Sequence, residues 1–273
     1  MQSRGEGNVD LCGEENNEKG DEAVLFQFCV MTYNAGNGLA KPERLIPLLQ
    51  SCGADLVALQ ELSVRQAEAI REELARDYTH QALYPGGFEG QGILSRYPLR
   101  SIEQLHLYPS RPDLKGTVYI QEIPLTVIVA HPPPPHFRFP GFQFDPQARA
   151  QISTLIETAL ACSPAILLGD LNAWETTQTY ADLTAAGLKD AFQHGGDGRG
   201  HTLPVRLGPW KRWKRINRLL RWIPMLPFLR VDYIWHTEAL TTTAAWVGKD
   251  AGSDHLPVLA RLEIEVEEKG YTL

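Results

Sequence analysis

The stretch "AILLGDLNAW", residues 165–174, joins an apolar run to a carboxylate and an amide. The run has the length and composition of a buried β-strand, and it is followed by Asp170 and Asn172. Asp and Asn are common turn residues, so a capped turn after the strand is one interpretation. Because strand ends hold functional side chains in fixed positions, two polar groups at this tip are equally suited to chemistry.

Similar β-rich runs recur along the chain and are bounded by turn residues. They occupy residues 23–34, 54–61, 91–97, 116–123, 125–131, 165–170, 230–236, 240–248 and 255–267. Helical patterns begin at Pro42, at Ser63 as N-cap, and at Asp145. Wholly apolar strands favour sheets covered on both faces, and many strands with few helices favour two packed sheets. The sequence therefore predicts an α/β fold of four layers, a two-sheet β-sandwich flanked by helices.

Composition predicts how the chain is organised. The first 22 residues are acidic and poor in apolar side chains, which predicts a disordered tail rather than a signal peptide. Residues 23–273 are predicted to form a single domain with a basic amphipathic insert at about 208–229. No apolar run approaches the roughly 20 residues of a transmembrane helix. Four cysteines without a CxxC pair indicate free thiols in a reducing compartment, so we expect a cytoplasmic protein, with peripheral membrane contact left open.

Several predicted strands begin or end near a polar side chain that is capable of chemistry. These residues are Asn34, Glu61, His131, Asp170, Asn172, Asp232, Asp254 and His255. Taken singly, each has a structural explanation, such as a turn, a cap or a core histidine. As a set, the carboxylates and amides suit a hard cation, Mg²⁺ or Mn²⁺, while the histidines suit proton transfer.

The motifs that carry these residues resemble those of the endonuclease/exonuclease/phosphatase superfamily, which has the deoxyribonuclease I-like fold. In chain order they are "MTYNAGNG" (31–38), "LVALQE" (56–61), "GILSRYPL" (92–99), "VAHP" (129–132), "LLGDLNAW" (167–174), "RVDYIW" (230–235) and "GSDHLPV" (252–258). The resemblance covers residues from about 27 to 264. It implies a two-sheet sandwich with a metal-dependent phosphoester hydrolase site at one edge.

The resemblance also implies a role for each residue at that edge. Asn34 and Glu61 match the family's metal-site pair, and Asp254 matches a second metal-site or site-organising acid.

The other five residues match catalytic positions of the family. Asp170 matches the residue that orients or deprotonates the attacking water, and Asn172 matches one that holds the phosphate. His131 matches a histidine that contacts the scissile phosphate. His255 matches the catalytic histidine, and Asp232 matches the carboxylate that orients it.

Two loops have no counterpart among these motifs. The proline-rich segment 130–146 is predicted to form either one wall of the substrate cleft or a rigid surface loop. Residues 211–230 contain seven basic side chains and no acidic one, although the net charge of the chain is −7. Trp213, Arg215, Arg218 and Arg221 are our candidates for contact with an anionic membrane or a nucleic-acid backbone. A helix docked on its own domain with solvated arginines is the alternative.

The sequence thus predicts a Mg²⁺- or Mn²⁺-dependent phosphodiesterase that acts on nucleic acid or on a phospholipid headgroup. A phosphomonoesterase acting on a soluble sugar or inositol phosphate is the alternative activity. A non-catalytic scaffold that binds a membrane or a protein partner is the alternative class.

Overall fold

The structure is a computed structural model that describes residues 23–139, 141–206 and 224–267. The acidic tail and most of the basic insert lie outside these ranges. The surface-binding roles predicted for Trp213, Arg215, Arg218 and Arg221 therefore concern residues outside the described part of the chain.

Two six-stranded mixed sheets dominate the described residues. The first sheet contains, in spatial order, β13 (Leu240–Val247), β14 (Val258–Glu267), β1 (Ala23–Asn34), β2 (Leu56–Gln60), β4 (Gln91–Ser95) and β3 (His80–Tyr84). The second contains β11 (Lys189–Asp190), β12 (Asp232–His236), β10 (Ala165–Asp170), β7 (Ile123–Ala130), β6 (Asp113–Ile120) and β5 (Leu99–Leu105). A separate hairpin pairs β8 (His136–Arg138) with β9 (Gly141–Gln143).

Helices cover the outer face of each sheet. On the first sheet these are α1 (Pro42–Ser51) and α2 (Val64–Glu73), and on the second they are α3 (Pro146–Ala161) and α4 (Gln178–Ala185). A short helix, α5 (Ala191–Gly195), packs beside β12 and β13. Ser63 caps α2 through a reciprocal pair of hydrogen bonds with Gln66, as its sequence predicts. The predicted four-layer order of helix, sheet, sheet and helix is confirmed.

The apolar runs in the central strands are unbroken because both faces of these strands are buried. In β10, Leu168 points into the core between the sheets, whereas its neighbour Leu167 packs under the helices. In β1, Val30 and Met31 divide in the same way. Alternating strand side chains face opposite sides of a sheet, so a strand covered on both sides needs an unbroken apolar run.

The sheet topology brings the ends of four central strands to one edge of the sandwich. β1 runs parallel to β2, and β7 runs parallel to β10, so the carboxyl ends of each pair lie together. The antiparallel neighbours β12 and β14 begin where β10 and β1 end, since Asp232 pairs with Asp170 and Val258 pairs with Thr32. The residues that the sequence analysis predicts to be catalytic lie on this side of the molecule, which we therefore call the catalytic edge.

The strands that the sequence did not predict are mostly at the sheet margins. β3, β5 and β11 are edge strands, and β5 is exposed along much of its length. Edge strands need no continuous apolar run, so they give a weak signal. Among the described residues, no helix has both the length and the apolar character needed to cross a bilayer.

Candidate active site

Asp170, Asp232 and His255 form the centre of the candidate site. Nδ1 of His255 lies 2.9 Å from Oδ2 of Asp232, and its Nε2 lies 3.8 Å from Oδ2 of Asp170. All three residues are buried. The imidazole of His255 therefore lies between two carboxylates that belong to neighbouring strands.

The two carboxylates determine the charge of His255. Burial alone would lower the pKa of this histidine, but the charges of Asp232 and Asp170 outweigh burial and raise the pKa well above its ordinary value. Burial would likewise raise the pKa of Asp170, yet the charge of His255 and the hydrogen bond from His131 hold it below its usual range. At neutral pH the site therefore contains an imidazolium beside an ionised Asp170.

The same three residues offer ligand atoms that lie within 4.8 Å of one another, a spacing that a metal ion could bridge. However, Nδ1 of His255 is hydrogen-bonded to Asp232, and a protonated imidazole has no lone pair for a metal. As placed, His255 offers this cluster a proton and no lone pair for a metal.

Glu61 provides a better position for a cation. It directly follows β2, and its φ of 51° lies in the left-handed region that non-glycine residues seldom adopt. Burial and the charges of Asp170 and Asp254 raise the pKa of Glu61 to about 7. Three carboxylates therefore act on one region, where the charge of His255 opposes them only in part, and their hard oxygen atoms suit Mg²⁺ or Mn²⁺. The oxygen atoms of these crowded carboxylates therefore fit a divalent cation.

Asn34 lies between these carboxylates. Its Nδ2 donates to Oδ2 of Asp170 at 3.0 Å, and its side chain also hydrogen-bonds to Glu61. Its Oδ1 accepts a hydrogen bond from the backbone N–H of Gly36. As placed, the amide is therefore a donor to the acidic cluster, and it would have to rotate to offer its oxygen atom to a metal.

His131 lies on the other side of Asp170. Its Nε2 is 3.5 Å from Oδ2 of Asp170 and 3.7 Å from Oε1 of Glu61. Nη1 of Arg111 lies 2.6 Å from Nε2 and 3.1 Å from Nδ1 of the same ring. Burial lowers the pKa of His131, and the charge of Arg111 adds to that effect against the opposing influence of Asp170. At neutral pH His131 is therefore uncharged, whereas His255 carries a positive charge.

Asn172 is held on the loop that follows β10. Its backbone N–H donates to Oδ1 of Asp170, and its Nδ2 donates to the carbonyl of Pro132. Gly169 precedes this turn with φ 148°, and a Cβ there would lie 1.9 Å from the carbonyl oxygen of Ala130. Only glycine allows β10 to approach β7 so closely at the tip where Asp170 projects.

Three residues near His131 were not predicted from the sequence: Arg111, Asp113 and Gln151. Asp113 is fully buried, accepts a hydrogen bond from the backbone N–H of His131 and also accepts one from Nε2 of Gln151. The sequence pattern placed the start of its strand at Gly116, because Asp113 and Lys115 interrupt the apolar run. A buried acid at that position has no local sequence signal.

Asp113 should make the stability of the protein depend on pH. Burial raises its pKa from 3.8 to about 7, so between these values the folded protein keeps a proton that the unfolded chain has released. The stability contributed by this group must then fall as the pH rises from about 4 to about 7. In Asp113→Asn that loss, up to about 4 kcal/mol, should be absent. Urea unfolding at several pH values measures this loss as the difference between the free energies of unfolding of the variant and the wild type.

The amide introduced by Asp113→Asn can be accommodated locally. Oε1 of Gln151 has no hydrogen-bond partner among the described residues, so a rotated Gln151 can accept from the new Asn. Asp182→Asn, which makes the same carboxylate-to-amide change at a partly exposed position, is the matched control for the substitution itself. If the difference in free energy of unfolding between Asp113→Asn and wild type did not change with pH, the prediction would be contradicted.

The geometry brings together the predicted residues Asn34, Glu61, His131, Asp170, Asn172, Asp232 and His255 at the catalytic edge. Asp254 is partly exposed, and its charge affects both Glu61 and His255. Ser253 was not predicted. Its hydroxyl donates to the carbonyl of Asn34 and accepts from the backbone N–H of His255, so it joins the loop before β14 to the end of β1.

The chain and its fold are similar to known proteins. The chain is 25% identical to the uncharacterized protein YbhP of Escherichia coli K12, over 89% of this chain and 99% of YbhP. Its fold is similar to a solved endonuclease/exonuclease/phosphatase from Beutenbergia cavernae, with TM-score 0.63 and 20% identity over 87% of this chain and 72% of that one. It is also similar to D. rerio TDP2 in complex with single strand DNA product, with TM-score 0.63 and 16% identity over 86% and 98% of the respective chains.

The sequence profile of the Endonuclease/Exonuclease/phosphatase family matches residues 31–255, a range that contains every residue of the candidate site. Members of this family typically hydrolyse phosphoester bonds and usually use divalent metals. This chain belongs to the endonuclease/exonuclease/phosphatase family.

Proposed function

We propose that this protein is a divalent-metal-dependent phosphodiesterase that cleaves its substrate, a nucleic acid or a phospholipid headgroup, by attack of water. The observation that carries the proposal is the position of Asp170. Its Oδ2 lies within 3.8 Å of Nε2 of His255 and within 3.5 Å of Nε2 of His131. An ionised acceptor between a charged and a neutral imidazole suits a reaction that needs an oriented water and charge stabilisation at phosphorus.

Asp170 is the residue that we assign to the attacking water. Because its pKa is held low, it remains an anion and a hydrogen-bond acceptor throughout the neutral range. Its position at the end of a buried strand, with Oδ1 bonded to the Asn172 backbone, limits its motion. A water held by this carboxylate would be oriented for in-line attack.

His255 supplies positive charge and a proton. Asp232 accepts from Nδ1, which fixes the ring orientation and leaves Nε2–H directed toward the Asp170 side of the site. Such a donor stabilises negative charge that develops on phosphoryl oxygens in the transition state. Asn172 and the neutral His131 are placed to donate further hydrogen bonds to the phosphate.

The metal ligands that we propose are Glu61, Asn34 and Asp254, with Mg²⁺ or Mn²⁺ as the ion. The crowding of carboxylates that raises the pKa of Glu61 supports this assignment. When bound, a divalent cation would act as a Lewis acid that neutralises charge on the phosphate. We also propose a cytoplasmic location, which the free thiols of Cys29, Cys52 and Cys162 support.

The reaction class can be tested with two chromogenic esters. We expect hydrolysis of the diester bis(p-nitrophenyl) phosphate in the presence of Mg²⁺ or Mn²⁺, and a loss of about 100-fold or more after EDTA treatment. Preference for the monoester p-nitrophenyl phosphate would instead favour a phosphomonoesterase acting on a soluble sugar or inositol phosphate. Absence of hydrolysis of both esters with either metal would contradict the proposal and favour a binding scaffold.

A further inference from the structure

The residues that lead into β12 hold both halves of the candidate site. Asp232 begins β12 and accepts a hydrogen bond from Nδ1 of His255. The carbonyl of Val231 accepts one from the backbone N–H of Leu171, the residue before Asn172. The histidine and the loop that carries Asn172 are therefore attached to one short stretch of chain.

Arg230 adds a third attachment through an ion pair. Its Nε lies 2.8 Å from Oε1 of Glu175, which is three residues beyond Asn172. The side chain of Arg230 is only 5% exposed, whereas that of Glu175 is 44% exposed. A buried guanidinium beside β12 thus holds a half-exposed carboxylate of the loop.

Arg230 is fixed by contacts that do not involve Glu175. Its Nη1 lies 2.7 Å from Oδ2 of Asp190, a buried carboxylate that also accepts a hydrogen bond from the hydroxyl of Tyr180. The guanidinium lies over the ring of Tyr233, 4.6 Å from the ring centroid. Asp190 alone matches the charge of Arg230, so the second carboxylate is not needed to compensate a buried charge.

The backbone of Asn172 indicates what the second carboxylate does. Its φ of 49° lies in the left-handed region, which residues other than glycine seldom adopt, although asparagine does so more readily than most. Such a conformation persists only where the surrounding structure holds it. Leu171 is bound to Val231 before this position and Glu175 is bound to Arg230 after it, so the loop is anchored on both sides of Asn172.

The aromatic contacts of the loop lead in a different direction. The ring of Trp174 packs on Phe142 and Phe144, with centroid distances of 5.4 Å and 5.9 Å. Phe142 belongs to β9 and Phe144 precedes α3, so these contacts tie the loop to the hairpin and to α3 rather than to β12. The ion pair of Glu175 supplies the attachment to the strand that carries Asp232.

We propose that the ion pair of Arg230 with Glu175 is a positioning device that fixes the side chain of Asn172 relative to His255. The inference rests on the proposed function, in which Asn172 and His255 both donate to the phosphate. Arg230 and Glu175 are positioning residues, because they act through Asn172 and not on the reacting atoms. Since a small displacement of a group that contacts the transition state is costly, loss of the pair should lower the rate in a protein that remains folded.

The experiment is a double-mutant cycle of Glu175→Ala and Asn172→Gly in the full chain, with kcat/KM measured on bis(p-nitrophenyl) phosphate. Glu175 is the partner to change, because removal of Arg230 would leave the buried Asp190 unpaired and destabilise the fold. The Asn172→Gly substitution removes the amide and retains the left-handed backbone. We expect Glu175→Ala to lower kcat/KM about tenfold or more in the wild-type background, and to cost nothing further in the Asn172→Gly background.

Two further variants separate positioning from stability. Glu175→Gln keeps an oxygen atom that can accept from Nε of Arg230, so it should retain most of the activity that Glu175→Ala loses. Glu103→Ala is the matched control, because Glu103 is also a partly exposed acid in an ion pair, with Lys115 between β5 and β6. Its kcat/KM should stay within a few-fold of wild type, and its thermal midpoint should change about as little as that of Glu175→Ala.

Hydrogen exchange gives a readout that does not need catalysis. In Glu175→Ala, the backbone amides of residues 171–177 should exchange about tenfold faster than in wild type, while those of β12 keep their wild-type rates. Unchanged exchange in the loop would overturn the positioning proposal. Full activity of Glu175→Ala, or an equal fold loss in both backgrounds of the cycle, would overturn it as well. If the wild type does not hydrolyse the diester, the proposed function fails, and loop exchange still decides whether the ion pair fixes Asn172.

Discussion

Replacing His255 with alanine is expected to lower kcat/KM for a phosphodiester by about 10³-fold in a protein that still folds but has a lower thermal midpoint. The variant loses the imidazolium that faces Asp170 and leaves the buried carboxylate of Asp232 without its 2.9 Å partner. Asp232→Asn should have a smaller effect, which is still about 10²-fold or more. This variant keeps the His255 ring but loses the fixed orientation of the ring and its charge. Steady-state kinetics on bis(p-nitrophenyl) phosphate, with circular dichroism to verify folding, measures both effects.

His236 provides the matched control for this prediction. It is buried like His255, but its ring bonds the carbonyl of Thr237 and the hydroxyl of Thr242, away from the catalytic edge. His236→Ala should lower the thermal midpoint while leaving kcat/KM within a few-fold of wild type. If His255→Ala retained full activity, or if both histidine variants lost activity equally, the assignment of His255 would be wrong.

The second large effect is expected from Glu61→Gln. This substitution removes the carboxylate that faces the shared region of Asp170 and Asp254, and the amide that replaces it is a much weaker ligand for a hard cation. We expect a loss of about 10²-fold or more in activity at limiting Mn²⁺ or Mg²⁺, partly restored at high metal concentration. Calorimetric titration with Mn²⁺ should show a matching loss of affinity.

Thermal unfolding gives a readout of the same prediction that does not depend on catalysis. Because a ligand that binds only the folded state raises the unfolding midpoint, Mn²⁺ should stabilise the wild type and should stabilise Glu61→Gln much less. Glu43→Gln is the control, since Glu43 is an exposed acid paired with Arg65 on the surface. An identical Mn²⁺-induced shift in wild type and Glu61→Gln would exclude Glu61 as a ligand.

Prediction from the sequence worked best where burial is complete. The run at 165–170 coincides with β10, and the run at 23–34 coincides with β1, which is buried from Phe28 onward, because a strand segment covered on both faces must be apolar throughout. Ser63 was also identified correctly as an N-cap, since capping depends on residues within one turn. Edge strands and the short helices α4 and α5 were missed because partial burial leaves no regular pattern.

The residues of the site likewise divide into those that the sequence identifies and those that only strand pairing brings together. Asp170 and Asn172 stand out because they interrupt an apolar run, and the family motifs select them together with Asn34, Glu61 and His255. By contrast, Arg111 and Asp113 reach His131 only through the pairing of β6 with β7, in which Leu114 is opposite Val129. The register of two strands is a property of the pair, and neither strand specifies it alone.

The sequence by itself determined the strand cores, the four-layer fold class and the identity of the polar residues at the strand ends, because each of these depends on local hydrophobicity, local turn chemistry or a short motif. The tertiary structure decided the charges of the site. The pKa of His255 is raised because Asp232 and Asp170 come within hydrogen-bonding or ion-pair range. The pKa of His131 is lowered because this residue is buried against Arg111. Distances and desolvation set a pKa, and both exist only once residues far apart in the chain have packed together.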